Sequence, residues 1–271
     1  MAVVSETIVV ANQLEAIGSS LQKGLEQLGA AARFAVEAGR AATDVKTWWP
    51  ELVTQMRLLG VASLPITAFI ALFTGIVLAL LASYTLSGAA VPLYFIGTAA
   101  EKGIAMELAP VLTGLALAGR VGANIAAEVG TMRVTEQIDA LETLAYDPDA
   151  YLVVPRVLAG TITFPILVGL AIVIGVASAW SASQLFLDMP SAEFVKGVRR
   201  YFDPFDVEYG VVKAASFGFA VTLGACRSGL ASSGGAQGVG QSATRAVVQG
   251  SVAILVLDAF WAMTWLLGRV R

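Results

Sequence analysis

Histidine is absent from the 271-residue chain, and cysteine occurs once, at Cys226. The first absence removes His-based triads, His metal sites and imidazole pH switching together. The second rules out an intrachain disulfide framework and any Cys-rich metal site. Charge is also scarce: 14% of residues are Asp, Glu, Lys or Arg, against about 25% in an ordinary soluble domain. The 17 basic and 20 acidic residues leave a net charge of −3, so no basic field for nucleic acid exists. There is no phosphate loop of the G-x-x-x-x-G-K type followed by Ser or Thr, which excludes binding and hydrolysing ATP by that device. Gly234 to Gly240 is glycine-rich, but it lacks the lysine and follows a span rather than a strand, and it reads as a flexible cytoplasmic loop. What is abundant is apolar: 57% hydrophobic residues and a mean hydropathy of +0.76. The chain reads as an all-α integral membrane protein with no catalytic or metal site of its own. Its chemistry must come from carboxylates, Lys and Arg, amides, hydroxyls and shape.

Five transmembrane helices are expected, at about 20 apolar residues per crossing. The first runs near Val61 to Tyr84, ahead of a Ser87-Gly88 turn. The second, from about Leu93 to Ala127, carries Glu101, Lys102, Glu107 and Arg120, and Pro110 should bend or interrupt it. The third starts near Tyr151 and is uncharged from Val157 to Leu187. The fourth lies near Val211 to Cys226, extended by Tyr209-Gly210, and the fifth covers about Ala246 to Leu267 with Asp258 inside it. Asp188 to Glu208 is then a short external segment.

Residues 1–58 form an N-terminal amphipathic and interfacial segment, and residues 59–271 the transmembrane domain. The first strongly apolar run comes only after residue 60, so the N-terminal segment does not read as a secretory signal. Leu14, Ile17, Leu21, Leu25, Leu28, Ala32 and Ala35 recur every three or four residues, with Glu15, Lys23, Glu26, Arg33 and Glu37 on other faces. This is an amphipathic helix that either packs on protein or lies on the membrane surface. Trp48-Trp49-Pro50 follows, and adjacent indoles beside a span suit the headgroup region. With the N-terminus in the cytoplasm, ten of the 17 basic residues fall inside, and Lys102, Lys196, Arg199, Arg200, Lys213, Arg269 and Arg271 fall outside. The positive-inside rule favours this orientation.

Gly114, Ala118, Gly122, Ala126 and Gly130 recur every four residues and make one small-residue stripe, where another helix can approach closely. Arg120, Asn124 and Glu128 lie on another face, as a structural polar ladder or a functional one. The stretch of about 131–145 reads as a short amphipathic cytoplasmic helix, with Val134, Ile138, Leu141 and Ala145 as its apolar stripe. It is either a connector or a peg for a partner's groove.

The residues Glu107-Leu108-Ala109-Pro110-Val111-Leu112-Thr113, Ala118-Gly119-Arg120-Val121-Gly122-Ala123 and Ala127 to Leu141, with Pro155-Arg156, resemble the MlaE/YrbE permease family. Gly240 to Val248 and Leu257-Asp258 resemble the same family's last loop and last helix, and the likeness spans about residues 55–268. The resemblance implies the membrane subunit of an ABC transporter that moves lipid, phospholipid by default, between the inner membrane and an MCE-domain protein. It implies pairing with a second permease, identical or related, and docking of a cytoplasmic ATPase that uses ATP and Mg while this chain binds no cofactor. It makes Arg133 to Leu144 the coupling helix, with Arg133, Thr135, Glu136, Gln137, Asp139 and Glu142 as its contact residues. It places Glu107 at the lipid cavity, with Leu108, Pro110 and Val111 beside it. Some members carry a basic residue just before this glutamate, where this chain has Met106.

The residues themselves leave two roles open for Glu107, a carboxylate satisfied by neighbouring helices or a cavity group. Asp258 must be paired, protonated or wet. A proton-coupled secondary transporter built on these two acids is the alternative to the ABC permease, and it would work without nucleotide.

Overall fold

The computed structural model describes residues 22, 26, 29–86, 91–266 and 268. Leu14, Ile17, Leu21, Leu25 and Leu28 of the expected stripe, the Ser87-Gly88 turn, Arg269 and Arg271 lie outside the described residues. Every regular element among the described residues is helical, and five helices are long and apolar enough to cross a membrane. These are α1 (Val45–Leu86), α2 (Tyr94–Val134), α4 (Asp149–Phe186), α6 (Pro204–Leu230) and α7 (Gly235–Trp265). Two short helices join them, α3 (Gln137–Thr143) and α5 (Ser191–Tyr201). The chain is an all-α, multi-pass membrane protein.

The spanning helices are longer than the apolar runs that mark them. Once started, a helix gains one hydrogen bond for each residue added, so it continues past the hydrocarbon into polar sequence. The first begins at Val45 rather than Val61, with Pro50 tolerated in its second turn. The fourth begins at Pro204 rather than Val211: the Asp203 side chain accepts a hydrogen bond from the Phe205 amide at 3.0 Å, and Pro204 supplies the preset first turn. Asp206 and Glu208, expected outside, therefore lie in the span. The last begins at Gly235, so the expected flexible loop from Gly234 to Gly240 is helical from Gly235 onward, and the corner between α6 and α7 lies at 231–234. Gly234 and Gly235 make that corner at φ of 80° and 73°, a left-handed geometry that glycine adopts without a side-chain clash.

Pro110 does not break α2. A π-helical turn, Ile104–Leu108, precedes it, and the helix resumes at Ala109. Such a turn is a recognised way of carrying an irregularity through a continuous helix. A second π turn, Ala118–Gly122, lies further along.

Helix α4 is the centre of the bundle, packed on α1 along one side and α6 along another. Contact is close enough to reach backbone. A Cβ on Gly218 would stand 2.4 Å from the Gly160 carbonyl oxygen, so only glycine lets α4 and α6 meet there. The buried apolar residues form two layers. One gathers Leu117, Val121, Phe164, Phe217, Val221 and their neighbours, the other Ile96, Ile104, Ala171, Ala179 and Phe194.

The described part of the N-terminal segment is helical over 29–41. It packs on the bundle through Ala38, Phe34 and Ala35, while Ala32 is exposed. Of the two described stripe residues, Ala35 packs inward and Ala32 does not, and Phe34, with far more apolar surface than an alanine, joins the inward face. Trp48 is half-buried and donates from Nε1 to the Ala42 carbonyl at 2.9 Å, whereas Trp49 stays exposed.

Candidate functional site

The cap at Asp203 places Lys213 more than two turns inside α6, on its inward face. Its side chain has 0% exposure, so it is not the external cation that the sequence suggested. Its ammonium lies 2.7 Å from Glu107 Oε2 on α2 and also contacts Asp258 Oδ1 on α7. One cation thus joins two acids across three helices. The ammonium donates to the Met106 carbonyl as well, at 3.3 Å. That acceptor is available because its ordinary i+4 donor would be residue 110, a proline without an N–H. The ring of buried Tyr209 lies 5.0 Å from the ammonium, which adds a cation–π contact.

The two acids are not equivalent. The Asp258 side chain is 17% exposed, and that of Glu107 is 48% exposed. Asp258 is the more buried anchor, while Glu107 presents a carboxylate at the bundle surface. With all three groups ionised the cluster carries one net negative charge. A charge deep in a spanning helix is costly unless it is paired, and here the pairing also ties α2, α6 and α7 together. Beside it, Tyr209, Phe205, Trp261 and Trp265 form an aromatic cluster, and Trp261 Nε1 donates to Ser216 Oγ at 2.9 Å.

Of the other expected cavity residues, Leu108 and Val111 are half-buried and Pro110 is buried in the packing. The stripe Gly114, Ala118, Gly122, Ala126 and Gly130 is buried throughout, and it packs on α6 and α7 of this same chain. A Cβ on Gly114 would stand 3.2 Å from Phe217, and one on Gly122 would stand 3.5 Å from Val221. The polar ladder joins neighbouring helices. Arg120 donates to Ser63 Oγ of α1 at 2.5 Å, and Glu128 pairs with buried Arg156 of α4 at 2.6 Å. Asn124 is exposed.

The 131–145 stretch is not one helix. Span α2 runs on through Val134, so Arg133 is its last turn. Glu136 then takes φ 59°, and α3 covers only Gln137–Thr143. Arg133 Nη1 spans the corner to Asp139 Oδ1 at 2.7 Å. Ile138 is buried in the main core and pins α3, while Ala145 leaves the stripe at φ 61°. Arg133, Thr135, Glu136, Gln137, Asp139 and Glu142 are all exposed, at one corner of the bundle.

Comparison with known proteins agrees with this architecture. The profile of the family described as Permease MlaE matches residues 52–264. A probable ABC transporter permease protein of Rickettsia felis is 40% identical over 245 residues, covering 90% of this chain and 94% of the relative. A probable ABC transporter permease of Synechocystis is 39% identical over 218 residues, covering 79% and 80%. The intermembrane phospholipid transport system permease protein MlaE of Haemophilus influenzae is 33% identical over 259 residues, covering 92% and 96%. Nearly the whole bundle, with Glu107, Lys213 and Asp258 inside the matched region, is thus shared: the chain belongs to the MlaE permease family.

Proposed function

We propose that this chain is the membrane-spanning permease subunit of an ABC transporter that moves phospholipid between the inner membrane and an MCE-domain partner. A separate cytoplasmic ATPase drives it, and the N-terminus lies in the cytoplasm. The family and its phospholipid-transporting relative support the substrate class. The observation that carries the site is the half-exposed Glu107 carboxylate, held by Lys213 at the apolar flank of α2. A phospholipid needs an apolar wall for its chains and a polar foothold for its head group, and Glu107 with Leu108 and Val111 supplies both. Lys213 and Asp258 act as positioning residues. They fix the carboxylate and couple any movement of α2 to α6 and α7.

The exposed corner at Glu136 to Glu142 is the docking point for the ATPase. Its charges suit a charged groove, and buried Ile138 transmits a push on α3 to the core. The chain itself carries no phosphate loop, so nucleotide chemistry belongs to the partner. Purification of the tagged chain from its own membrane, followed by identification of co-eluting subunits, tests the reading. An ATPase and an MCE protein should elute together with it. A proton-coupled carrier would elute without either and would transport without nucleotide.

A further inference from the structure

A second set of charges lies outward of the Glu107 cluster, on the same two helices. Successive spans alternate in direction, so α2 and α6 run parallel. Their backbones touch where a Cβ on Gly210 would stand 2.2 Å from the Ala105 carbonyl oxygen. One turn outward on each helix from that contact stand Glu101 and Asp206. Both are buried, each at 3% exposure. Lys102 reaches Asp206 Oδ2 at 2.5 Å. Neither oxygen of the Glu101 carboxyl has a hydrogen-bond partner.

Among the described residues, the surroundings offer Glu101 no other unengaged cation. Helix α1 has no charged residue beyond Arg57, and α4 has none from Val157 to Phe186. From α5, Lys196 and Arg200 are engaged on the ring of Tyr94, nearly two turns away along α2, and Arg199 is exposed. Helix α6 contributes Asp206 and the exposed Glu208, and its Lys213 is committed to Glu107 and Asp258. One ammonium therefore faces two buried carboxyl groups. Two such groups cannot both stay ionised in an apolar site on a single counter-charge.

We propose that Glu101 and Asp206 form a proton-binding site between α2 and α6, with the proton on Glu101 while Asp206 holds Lys102. The bond made is the O–H of the Glu101 carboxylic acid, and water is the donor and acceptor when the seam is open. Separation of α2 from α6 at this end hydrates Glu101 and releases the proton, and closing takes it back. Proton occupancy and the width of the seam are thereby linked, and higher pH at this face favours the open arrangement. The site differs from the Glu107 cluster in position and in its counter-ion.

Infrared spectroscopy of the full-length chain in phospholipid nanodiscs tests this without the ATPase or any transport assay. At neutral pH the wild type should show the C=O stretch of a buried, protonated carboxylic acid. Glu101→Gln should abolish that band while leaving the chain assembled, because the amide mimics the neutral acid. Asp206→Asn should abolish it too, since Lys102 is then free to pair with an ionised Glu101. A wild-type spectrum without the band would overturn the proposal, as would a band that survives Glu101→Gln. If Glu101→Gln fails to assemble while Glu101→Asp assembles, the group is a structural anion and the proposal also fails.

Discussion

Lys213 on α6 and Glu107 on α2 lie 2.7 Å apart although the lysine is fully buried and the glutamate half-exposed. The cation is therefore the fixed member of the pair. Its geometry is held from three sides, by Glu107, by Asp258 and by the Met106 carbonyl that Pro110 leaves without its helical donor. The exposed carboxylate is the member that can respond to a ligand.

Loss of the central cation should be severe. Lys213→Met leaves Glu107 and Asp258 without their counter-charge, and breaking a buried pair costs about 3–5 kcal/mol. Thermal unfolding in detergent should show a lower Tm. The triple variant Lys213→Met, Glu107→Gln, Asp258→Asn should recover much of the loss, because no charge is then stranded. Equal instability of the single and triple variants would mean that lysine packing, not charge, holds the three helices.

The carboxylate should matter for lipid more than for assembly. Glu107→Ala is expected to lower phospholipid delivery while the subunits still co-purify. Photo-crosslinkers at positions 107 and 111 should capture lipid detectable by mass spectrometry. Capture only from positions on the α3 corner would return Glu107 to a structural role.

How far all this was legible in the sequence differs from element to element. Five spans followed from apolar runs, because hydrophobic length alone decides whether a helix can cross. The ends did not, and one end mattered. The polar stretch Asp206 to Glu208 looked like water-exposed chain, which put Lys213 at the outer end of the fourth span and among the external cations. The Asp203-Pro204 pair was the available signal, a cap followed by a proline at the first helical position. Reading it moves the helix start outward and carries Lys213 into the bundle. Asp258 called for a partner on solvation grounds alone, but no spacing rule links residues 107, 213 and 258. Their meeting is a property of how α2, α6 and α7 pack.

The corner between α2 and α3 separates backbone from charge. Glu136 sits at φ 59°, where glycine is less strained than glutamate. Glu136→Gly should therefore keep the fold while removing a charge, and Asp139→Lys should also break the ion pair with Arg133. Both variants should recover less ATPase on co-purification, by about tenfold for each 1.4 kcal/mol lost. Full ATPase recovery with both would remove this corner from coupling.

The small-residue stripe gives a graded packing test. A Cβ on Gly122 would make ordinary contact with Val221 at 3.5 Å, so Gly122→Ala should be nearly neutral. Gly122→Leu should overpack the seam between α2 and α6 and cost about 1–3 kcal/mol. Urea or thermal denaturation of the two variants side by side provides the comparison. A neutral leucine would show that the seam is looser than the buried stripe implies.

The most direct measurement reconstitutes the chain with its co-purifying ATPase and MCE-type partner and follows fluorescent phospholipid from donor to acceptor membranes. Transfer should require ATP hydrolysis, stop with a hydrolysis-dead ATPase and fall sharply with Glu107→Ala. Transfer driven by a proton gradient without nucleotide, or undiminished by Glu107→Ala, would contradict the account.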